Sequence, residues 1–275
     1  MSNSSNGPDG PQKLIIETEG GTQTWRMNFA PVNALRPDFL NEMKQALQNA
    51  EADPGISAIV LTSQLRIFSA GGDAAWMGSV LNERGPEALV NEFNQAMDVF
   101  RDVCLSLRRS PLLIVAALNG HTLAGGLELA AACDLRFAAD DERLQIGVPE
   151  MNLFGVLPSG GGGTQFIARL MGPSRALRFI LEANSVSARQ ALENGLVDRL
   201  CPPDTLLEDT RRFALEIARK AGRIGISAAK RAIFGGSELP LENAMSLDHA
   251  VHWDAMRRGN FRNGAVDFVK RYGQS

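Results

Sequence analysis

Two short stretches of the chain contain the residues whose types and spacing could do chemistry. They are residues 67–73 (IFSAGGD) and residues 122–128 (TLAGGLE). Each stretch follows an apolar, strand-like segment, passes through glycines and opens a helical pattern. Glycines at a strand-to-helix turn let the backbone approach a ligand, with peptide N–H groups pointing outward at the positive end of the helix dipole. Two such turns facing each other could hold one developing oxyanion between a pair of N–H donors.

Two glutamates add acid–base groups to these turns. Glu128 closes the second stretch, and Glu150 follows Pro149, 22 positions after Glu128. Each has an ordinary interpretation as well. A carboxylate near a helix start is stabilised by the helix dipole whatever its function, and a glutamate after a proline is often a solvated loop residue. One glycine-rich turn alone would be weak evidence for a site, whereas two turns followed by Pro149 and Glu150 are a much stronger indication.

The elements that must position these residues follow from hydrophobic periodicity. Alternation of period two indicates strands, apolar spacing of three to four indicates helices, and a glycine pair separates the first two strands as a hairpin. The predicted strands are 13–17, 24–28, 58–62, 112–118 and 135–138, and the predicted helices are 37–52, 86–107 and 124–133. Strands that alternate with helices predict an α/β fold with much parallel sheet. The apolar stripe of helix 86–107 is interpreted as core packing.

The chain changes character after Pro202. Four helices are predicted in succession, at 204–220, 227–234, 241–258 and 265–272, with glycines at the breaks. Their apolar stripes exceed what a surface appendage needs, and stripes left exposed would favour aggregation. Burial against other subunits, with cyclic closure, is the usual solution for soluble homo-oligomers. The residues expected to contact neighbouring subunits are Leu206, Phe213, Ile217, Ile233, Met245 and Val251.

Length, charge and cysteine usage bound the class of protein. The chain has 275 residues, a formal net charge of −3 and three scattered cysteines without a CxxC pair. The charge does not indicate nucleic-acid binding, and the cysteines are typical of a reducing compartment. No apolar run approaches the ~18 residues of a membrane span. Residues 1–11 lack a signal-peptide pattern and are expected to be a disordered tail. A cytoplasmic protein without a membrane or nucleic-acid partner is predicted.

Three motifs, taken together, resemble those of a known family. They are FSAGGD at 68–73, AALNGH-x3-GG-x-ELA-x2-CD at 116–134, and VPE at 148–150 followed by GGTQ at 162–165. In this order they resemble the crotonase superfamily, the enoyl-CoA hydratase/isomerase family. The resemblance implies a spiral of ββα units over residues 12–202, which would hold CoA and the active site. It also implies a C-terminal helical oligomerisation region over residues 203–275 and a homotrimer or a dimer of trimers.

The same resemblance implies an activity and a role for each motif residue. It assigns the peptide N–H groups of Gly72 and Gly125 as the two oxyanion donors. Glu128 and Glu150 match the two catalytic glutamates of members that hydrate 2-enoyl-CoA, and paired carboxylates suit addition of water because one accepts a proton while the other supplies one. Glu128 is assigned to activate water at the β carbon and Glu150 to protonate the α carbon. Alternatively, the two carboxylates jointly hold one water.

The resemblance also implies where the acyl-CoA substrate binds, with coenzyme A entering only as part of that substrate. Main-chain groups around Ser69 and Ala70 would read the adenine, and Arg66 would meet the CoA phosphates. Residues 33–35 resemble another CoA-facing loop, although the basic residue common just ahead of it is absent. Asp73 is a further candidate contact to the substrate. Four residues are candidates for the acyl pocket, with core or oligomer packing as an equal alternative: Trp76, Met77, Phe154 and Leu157.

The chain departs from the family pattern around Glu150. The distance from Glu128 is about two residues longer than usual, and the excess is placed in residues 140–146, where an even insertion in a strand would preserve the facing. Four residues separate Glu150 from Gly155, where three is commoner, and the glycine run at 159–163 is also longer. We therefore expect a reshaped wall near Glu150.

Other functions stay open alongside hydration. One is an enoyl-CoA isomerase or another enolate reaction, such as hydrolysis, decarboxylation or retro-aldol cleavage, that uses Glu150 alone. Another is a CoA-binding scaffold with vestigial catalysis. The presence of both glutamates argues against each. The three histidines, His121, His249 and His252, lack metal-ligand spacing, and the chain has no nucleophile elbow, P-loop or dinucleotide fingerprint. No metal or redox cofactor is predicted.

Overall fold

A computed structural model describes residues 12–259 and 261–273 of the chain. The predicted disordered tail at residues 1–11 lies outside the described residues. The strands are β1 (Leu14–Glu19), β2 (Thr22–Met27), β3 (Ala58–Ser63), β4 (Ile67–Ser69), β5 (Leu113–Leu118), β6 (His121–Leu123), β7 (Leu135–Ala139), β8 (Ile146–Gly147) and β9 (Arg199–Cys201). The first helices are α1 (Pro37–Ala52), α2 (Ala74–Arg109), α3 (Gly125–Ala132) and α4 (Glu150–Phe154).

The helices continue to the end of the described chain. They are α5 (Gly163–Met171), α6 (Pro173–Glu182), α7 (Ala188–Glu193), α8 (Leu206–Lys230), α9 (Leu241–Arg258) and α10 (Phe261–Tyr272), with a π-helical turn at Arg231–Gly235 between α8 and α9. None of the helices in the part of the chain that is described combines the length and apolar character needed to cross a membrane.

Two sheets organise the fold. The larger has the strand order β1-β2-β3-β5-β7-β9, in which β1 and β2 pair antiparallel and every other neighbouring pair is parallel. The smaller sheet has the order β4-β6-β8 and is parallel throughout. The chain therefore visits a long strand, a short strand and then a helix three times in succession, as β3-β4-α2, β5-β6-α3 and β7-β8-α4. The predicted hairpin and the predicted mixed α/β fold with largely parallel strands are both confirmed.

The centre of the large sheet carries continuous apolar sequence because it is covered on both faces. All six residues of β3 (AIVLTS) and all six of β5 (LIVAAL) are buried, as expected for parallel strands between helical layers. On one side α1 contributes Phe39, Leu40 and Met43, which have no exposed surface. The short strands β4 and β6 follow β3 and β5 and end at the glycine-containing turns, so the packed core helps to fix where those turns lie.

Helix α2 is longer than predicted and is bent. It begins at Ala74 rather than at residue 86, and its two halves meet at Gly85, which has φ of 84°. The stripe predicted to pack in the core over residues 86–107 is buried only toward its C-terminal end, at Phe100 and Cys104. Nearer the bend the stripe is only partly buried. The bend occurs where Gly85 takes a left-handed conformation that other residues avoid.

The C-terminal helices are present: α9 has the predicted bounds of 241–258, whereas α8 and α10 have other bounds and part of the packing differs from the prediction. The predicted helices 204–220 and 227–234 are joined as α8, with a non-helical residue at Gly222. The expectation that all six apolar residues are left for neighbouring subunits is wrong for four of them, because these pack within the chain: Leu206, Phe213, Ile217 and Val251. Ile233 and Met245 remain exposed, each at 65%.

Candidate active site

The first glycine-containing turn is held by its own serine. The turn links β4, which ends at Ser69, to α2. The Ser69 hydroxyl donates to the Asn33 carbonyl oxygen at 2.9 Å and accepts from the Gly71 peptide N–H at 3.1 Å. At the far side of the turn the Asp73 side chain accepts from the Trp76 peptide N–H at 3.0 Å, which caps α2. Both ends of the turn are therefore fixed before any ligand arrives.

Asn33 ties the neighbouring loop to this turn. It is fully buried, and its side-chain amide donates to the Ser63 hydroxyl at 2.7 Å and to the Phe68 carbonyl oxygen at 2.9 Å. Two residues later, the Leu35 peptide N–H donates to the Gly71 carbonyl oxygen at 2.8 Å. The loop that the resemblance assigned to coenzyme A thus also braces the glycine turn from behind.

The two glycine-containing turns lie in contact. A Cβ on Gly71 would lie 2.7 Å from the Gly125 nitrogen and 2.8 Å from the Ala124 Cβ. A Cβ on Gly125 would lie 3.4 Å from the Gly71 Cα and 3.2 Å from the Phe100 ring. Only glycine permits this approach at position 71, where φ is 86° as well. The structure therefore brings together two turns whose contacting glycines, Gly71 and Gly125, are 54 positions apart in the sequence.

Two peptide N–H groups at this contact are available to a ligand. Gly72 lies just ahead of α2, and Gly125 is the first residue of α3, where N–H groups have no partner within the helix. Among the described residues, neither N–H donates to a protein oxygen. The dipole of α3 favours negative charge at the same point. Both N–H groups therefore stay available where the two turns meet.

Glu128 is held by a second glycine run. Its side chain is only 3% exposed, and its Oε2 accepts from the peptide N–H groups of Gly161 at 2.9 Å and Gly163 at 2.7 Å. Gly163 begins α5, so the dipole of that helix points at the carboxylate as well. The space is narrow, since a Cβ on Gly163 would lie 2.8 Å from the Glu128 Cγ.

Burial sets the protonation of this carboxyl group. The pKa of Glu128 is raised to about 7: burial is the largest cause and the charge of Glu150 adds to it, while the N–H donors of the glycine run oppose the rise. At neutral pH, Glu128 is therefore present in both its protonated and its ionised form. A carboxyl group in that range can accept or release a proton during a reaction.

Glu150 has different surroundings. It is the first residue of α4, its side chain is partly buried, and burial raises the pKa of its carboxyl group. Its Oε2 is buried without a hydrogen-bond partner among the described residues. The interpretation of Glu150 as a solvated loop carboxylate is therefore wrong. A buried acceptor without a partner is rare in native structures and calls for a ligand or a water.

The additional residues ahead of Glu150 lie in a loop. Strand β7 ends at Ala139 and β8 begins at Ile146, so the segment predicted to lengthen a strand connects two sheets instead. At the end of the loop, just ahead of β8, the Gln145 carbonyl oxygen accepts from the Thr122 peptide N–H at 2.9 Å. The strand ahead of Glu150, β8, is positioned by its pairing with β6, and the expected even insertion in a strand is not found.

Comparison with known proteins identifies the family. A profile of the enoyl-CoA hydratase/isomerase family matches residues 19–274. The chain belongs to this family. It is 34% identical over 264 residues to the crotonyl-CoA hydratase of Syntrophomonas wolfei, covering 94% of this chain and 96% of the relative. It is 31% identical over 240 residues to the mitochondrial enoyl-CoA hydratase of Pongo abelii, covering 87% of this chain and 78% of the relative.

A solved structure of the same family shares the fold. The enoyl-CoA hydratase from Geobacillus kaustophilus superposes with a TM-score of 0.85 at 32% identity, covering 96% of each chain. This agreement confirms the fold class that the resemblance implied, with its mostly parallel sheet and C-terminal helices.

The residues predicted to bind coenzyme A differ in their exposure and in their hydrogen bonds. Arg66 is exposed between β3 and β4, where it is free to meet a phosphate. The Ser69 side chain is buried and holds the turn, as described above. The Ala70 peptide N–H donates to the Val32 carbonyl oxygen at 3.1 Å, so that N–H is not open to a base.

The other predicted substrate contacts fall in three places. Asp73 caps α2, and Met77 places its sulfur 4.0 Å from the position of a Cβ on Gly72, beside the predicted oxyanion donor. Trp76 lines a cleft of about 440 Å³ between the start of α1 and the two halves of α2. Phe154 and Leu157 are 60% and 53% exposed, close in sequence to Glu150. Met77 is therefore an acyl-pocket candidate that lies beside one of the predicted oxyanion donors.

The histidines lie away from this site. His121 is exposed, and its Nδ1 accepts from the Gln145 peptide N–H at 3.1 Å. His249 and His252 are exposed on α9. Over residues 12–259 and 261–273, no group of three or more His, Cys, Asp or Glu side chains is arranged to hold a metal ion.

The site residues that sequence reasoning missed are the donors to Glu128. The run at 159–163 was treated only as a longer turn, yet Gly161 and Gly163 hold the carboxylate. A signal was present in the sequence, because a glycine run that opens a helix is a ready anion site. What the sequence lacked was the partner, which lies 33 and 35 residues away.

Proposed function

We propose that the protein is a 2-enoyl-CoA hydratase, which adds water across an α,β-unsaturated acyl-CoA to give a 3-hydroxyacyl-CoA. The observation that carries the proposal is a buried Glu128 together with a partly buried Glu150, on a chain that also leaves two peptide N–H groups available at the glycine-containing turns. The pKa of each carboxyl group is raised by burial. Two titratable carboxyl groups next to an oxyanion site are what hydration requires, since a proton must be both accepted and supplied.

The proposed reaction begins at the thioester oxygen. That oxygen would lie between the peptide N–H groups of Gly72 and Gly125. When water attacks the β carbon, the π pair of the α,β double bond forms a double bond between the α carbon and the carbonyl carbon, the carbonyl π pair moves onto this oxygen, and the two donors stabilise the charge. Deletion of such a donor costs roughly 3–4 kcal/mol in enzymes where it has been measured.

The two glutamates would handle the protons. Glu128 accepts a proton from the attacking water, whose oxygen forms the new bond to the β carbon. Glu150 supplies a proton to the α carbon as the enolate collapses, so the thioester carbonyl is restored. After the reaction Glu128 is protonated and Glu150 is ionised. Transfer of a proton from Glu128 to Glu150, directly or through solvent, completes the cycle. Because Oε2 of Glu128 is held by the glycine run, its Oε1 is the oxygen assigned to water.

The remaining parts of the proposal concern binding, assembly and location. Coenzyme A would enter as part of the substrate, without a separate cofactor, and be held largely by backbone groups. A homotrimer or dimer of trimers in the cytoplasm is proposed. Exposed apolar residues on the C-terminal helices support assembly, because contiguous apolar surface of this kind marks interaction sites. They include Leu241, Met245 and Trp253 of α9 and Phe261, Phe268 and Val269 of α10.

One structural detail favours a second candidate. Oε2 of Glu150 is the carboxylate oxygen without a partner, whereas Oε2 of Glu128 is already bonded. An enolate reaction that uses Glu150 alone, such as double-bond isomerisation, would need only that oxygen. Hydration is preferred because it also uses Glu128, whose pKa near neutrality would otherwise have no role.

A turnover screen tests the proposal. The purified protein is offered 2-enoyl-CoA and 3-enoyl-CoA thioesters of graded chain length, and products are resolved by mass. Hydration predicts loss of the conjugated thioester absorbance of 2-enoyl-CoA and a product heavier by one water. Conversion of 3-enoyl-CoA to 2-enoyl-CoA without water uptake would instead support the isomerase, and binding without turnover would support a scaffold.

A further inference from the structure

Three side chains at four-residue intervals fasten the middle of the C-terminal region to the helices around Glu128. They are Lys230, at the end of α8, Phe234, in the π-helical turn, and Glu238, just beyond that turn. We name these three residues the C-terminal clamp. Four-residue spacing places them along one side of a helical path, and π-turns of this kind are frequent at functional sites.

The central contact of the clamp is made through Arg108. The guanidinium carbon of Arg108 lies 4.3 Å from the Phe234 ring centroid and 5.1 Å from the Phe166 ring centroid. Cation–π contacts of this geometry are attractive, more so when they are partly desolvated. The Nη2 of Arg108 also donates to the Ala131 carbonyl oxygen at 2.7 Å. Arg108 therefore joins the C-terminal region to two other elements at once.

Those two elements are the helices that hold Glu128. Ala131 lies in the last turn of α3, where carbonyl oxygens lack partners within the helix and a cation is favourable. Phe166 lies in the first turn of α5, is nearly buried, and its ring edge would be 3.4 Å from a Cβ on Gly162. The ring thus packs beside the glycine run whose N–H groups bind Glu128.

The outer two clamp residues reach the same two helices. Lys230 donates to the Leu112 carbonyl oxygen at 2.7 Å and pairs with the Asp134 carboxylate at 2.8 Å, just after the end of α3. Glu238 accepts two bonds from the Arg169 guanidinium of α5, each of 2.9 Å. The clamp therefore contacts the C-terminal end of α3 and one side of α5.

We propose that Arg108 and Phe234 are positioning residues for Glu128, acting through α3 and α5. Glu128 is carried by α3, whereas its two N–H donors belong to the run that opens α5. Its hydrogen bonds survive only if the two helices keep their relative position. Arg108, stacked between Phe166 and Phe234 and bonded to Ala131, links both helices to the C-terminal region. The activity part of the proposal rests on the proposed hydration, whereas the structural part does not.

Hydrogen exchange tests the structural part without turnover. Peptides covering residues 159–166 are followed by mass spectrometry in the wild type, in Phe234→Leu and in Arg231→Gln. Arg231 is a matched control, because it lies in the same π-turn, is exposed and has only a 4.0 Å ion pair with Asp254. In Phe234→Leu we expect exchange of the Gly161 and Gly163 N–H groups to be about tenfold faster. Arg231→Gln should match the wild type.

Two further variants keep the test decisive. Phe234→Tyr retains an aromatic ring and should restore wild-type exchange. Arg108→Lys keeps the charge but loses the planar group, and it replaces Phe234→Leu if the latter fails to fold. A folded Phe234→Leu or Arg108→Lys variant with wild-type exchange at residues 159–166 would overturn the proposal, even if its Tm were lower. Equal acceleration in Arg231→Gln would overturn it as well.

Kinetics test the link to catalysis. If the wild type hydrates 2-enoyl-CoA, Phe234→Leu should lower kcat by about tenfold with KM nearly unchanged, since misplaced catalytic groups affect the chemical step. Phe234→Tyr should recover most of kcat. Faster exchange with unchanged kcat would show that the clamp holds the glycine run without positioning Glu128 for reaction. A wild type that hydrates none of the substrates would refute the proposed function. The structural part of the proposal would still be tested by the exchange result.

Discussion

Glu128 and Glu150 lie near each other and share one side-chain chemistry, yet the fold treats them differently. Glu128 is almost wholly buried, and its Oε2 is fixed by two peptide N–H groups. Glu150 is partly buried, and its Oε2 is buried without a hydrogen-bond partner among the described residues. Pairs of titratable groups in contrasting environments are how enzymes divide acid and base roles. The difference indicates one carboxylate held in place by the protein and one left open to a ligand.

The contrast follows from the elements that carry the two residues. Glu128 is on α3, whose residues are all buried, and it meets the start of a second helix. Glu150 opens α4, a five-residue helix without a buried residue, and is followed by exposed Leu153, Phe154 and Val156. A core helix fixes geometry closely, whereas a short surface helix leaves room for substrate groups to complete the site.

The broadest effect is expected at the oxyanion donors, because every enolate reaction depends on them whichever glutamate it uses. Gly125→Val places atoms 3.2–3.4 Å or closer to Phe100, Leu35 and Gly71, which forces the two turns apart. Loss of an oxyanion donor lowers kcat by about 10²–10³-fold. The decrease should appear for every enolate reaction of the protein, whichever glutamate is used. Gly78→Ala is the control, because a Cβ there meets nothing within 4 Å. Unchanged turnover in Gly125→Val would remove that residue from the oxyanion site.

A smaller and more selective effect is expected at the glycine run. In Gly163→Ala the new Cβ would lie 2.8 Å from the Glu128 Cγ and 2.6 Å from the Pro158 carbonyl oxygen, so Glu128 must shift. We expect about 10–100-fold lower hydration, as for other small displacements of catalytic groups. Exchange of the substrate α proton, which needs Glu150 and the oxyanion donors, should fall much less. Equal losses in both reactions would show that Glu128 and Glu150 are not separable in this way.

Stability should respond to Glu128 in a pH-dependent manner. The pKa of Glu128 is raised from 4.5 to about 7 in the folded protein, so the folded state binds more protons between these values. Stability contributed by this group therefore falls as pH rises through that window. Glu128→Gln can still accept the two N–H bonds and has no charge to bury. We expect it to exceed the wild type in stability at pH 8 by roughly 3 kcal/mol at most, with little difference at pH 4.5.

Thermal unfolding at the two pH values checks this expectation. The relevant quantity is the change in the Tm difference between Glu128→Gln and the wild type, so effects of other carboxyl groups cancel. A Tm difference that is the same at pH 4.5 and pH 8 would show that the pKa of Glu128 is not raised by folding.

The smallest effect concerns the coupling between the two carboxyl groups. The charge of Glu150 raises the pKa of Glu128. In Glu150→Gln that charge is gone, so the pKa of Glu128 should fall. Carbon-13 NMR of glutamate-labelled protein measures this directly, with Glu128→Gln identifying the resonance. An unchanged or raised pKa would mean that the two carboxyl groups do not interact, contrary to the contrast drawn between them.

Much of the scaffold was predictable, because it depends on local pattern. The apolar runs that became β3 and β5 are buried at every position, and such runs flanked by glycines identify central strands. The helix predicted around residues 124–133 is α3, and Glu128 lies in its first turn as expected. The motifs named the two turns, and the fold brings them into contact.

The predictions that failed depend on contacts between distant segments. The burial of Leu206 and Val251 within the chain could not be read from stripes that look alike whether they pack inward or against another subunit. The binding of Glu128 by Gly161 depends on the approach of α3 to α5. The start of α2 at Ala74 was missed because Gly85 and Pro86 interrupt the pattern, whereas the helix bends and continues.

The central claim is that hydration needs both glutamates, and one set of rates tests it directly. Hydration of crotonyl-CoA is followed by loss of the conjugated thioester absorbance for the wild type, Glu128→Gln and Glu150→Gln, with circular dichroism confirming that each is folded. The account predicts that each substitution lowers kcat by about 10²–10⁴-fold, as expected for a lost acid–base group. Full hydration by Glu128→Gln together with an inactive Glu150→Gln would contradict it and assign the protein a single-base reaction.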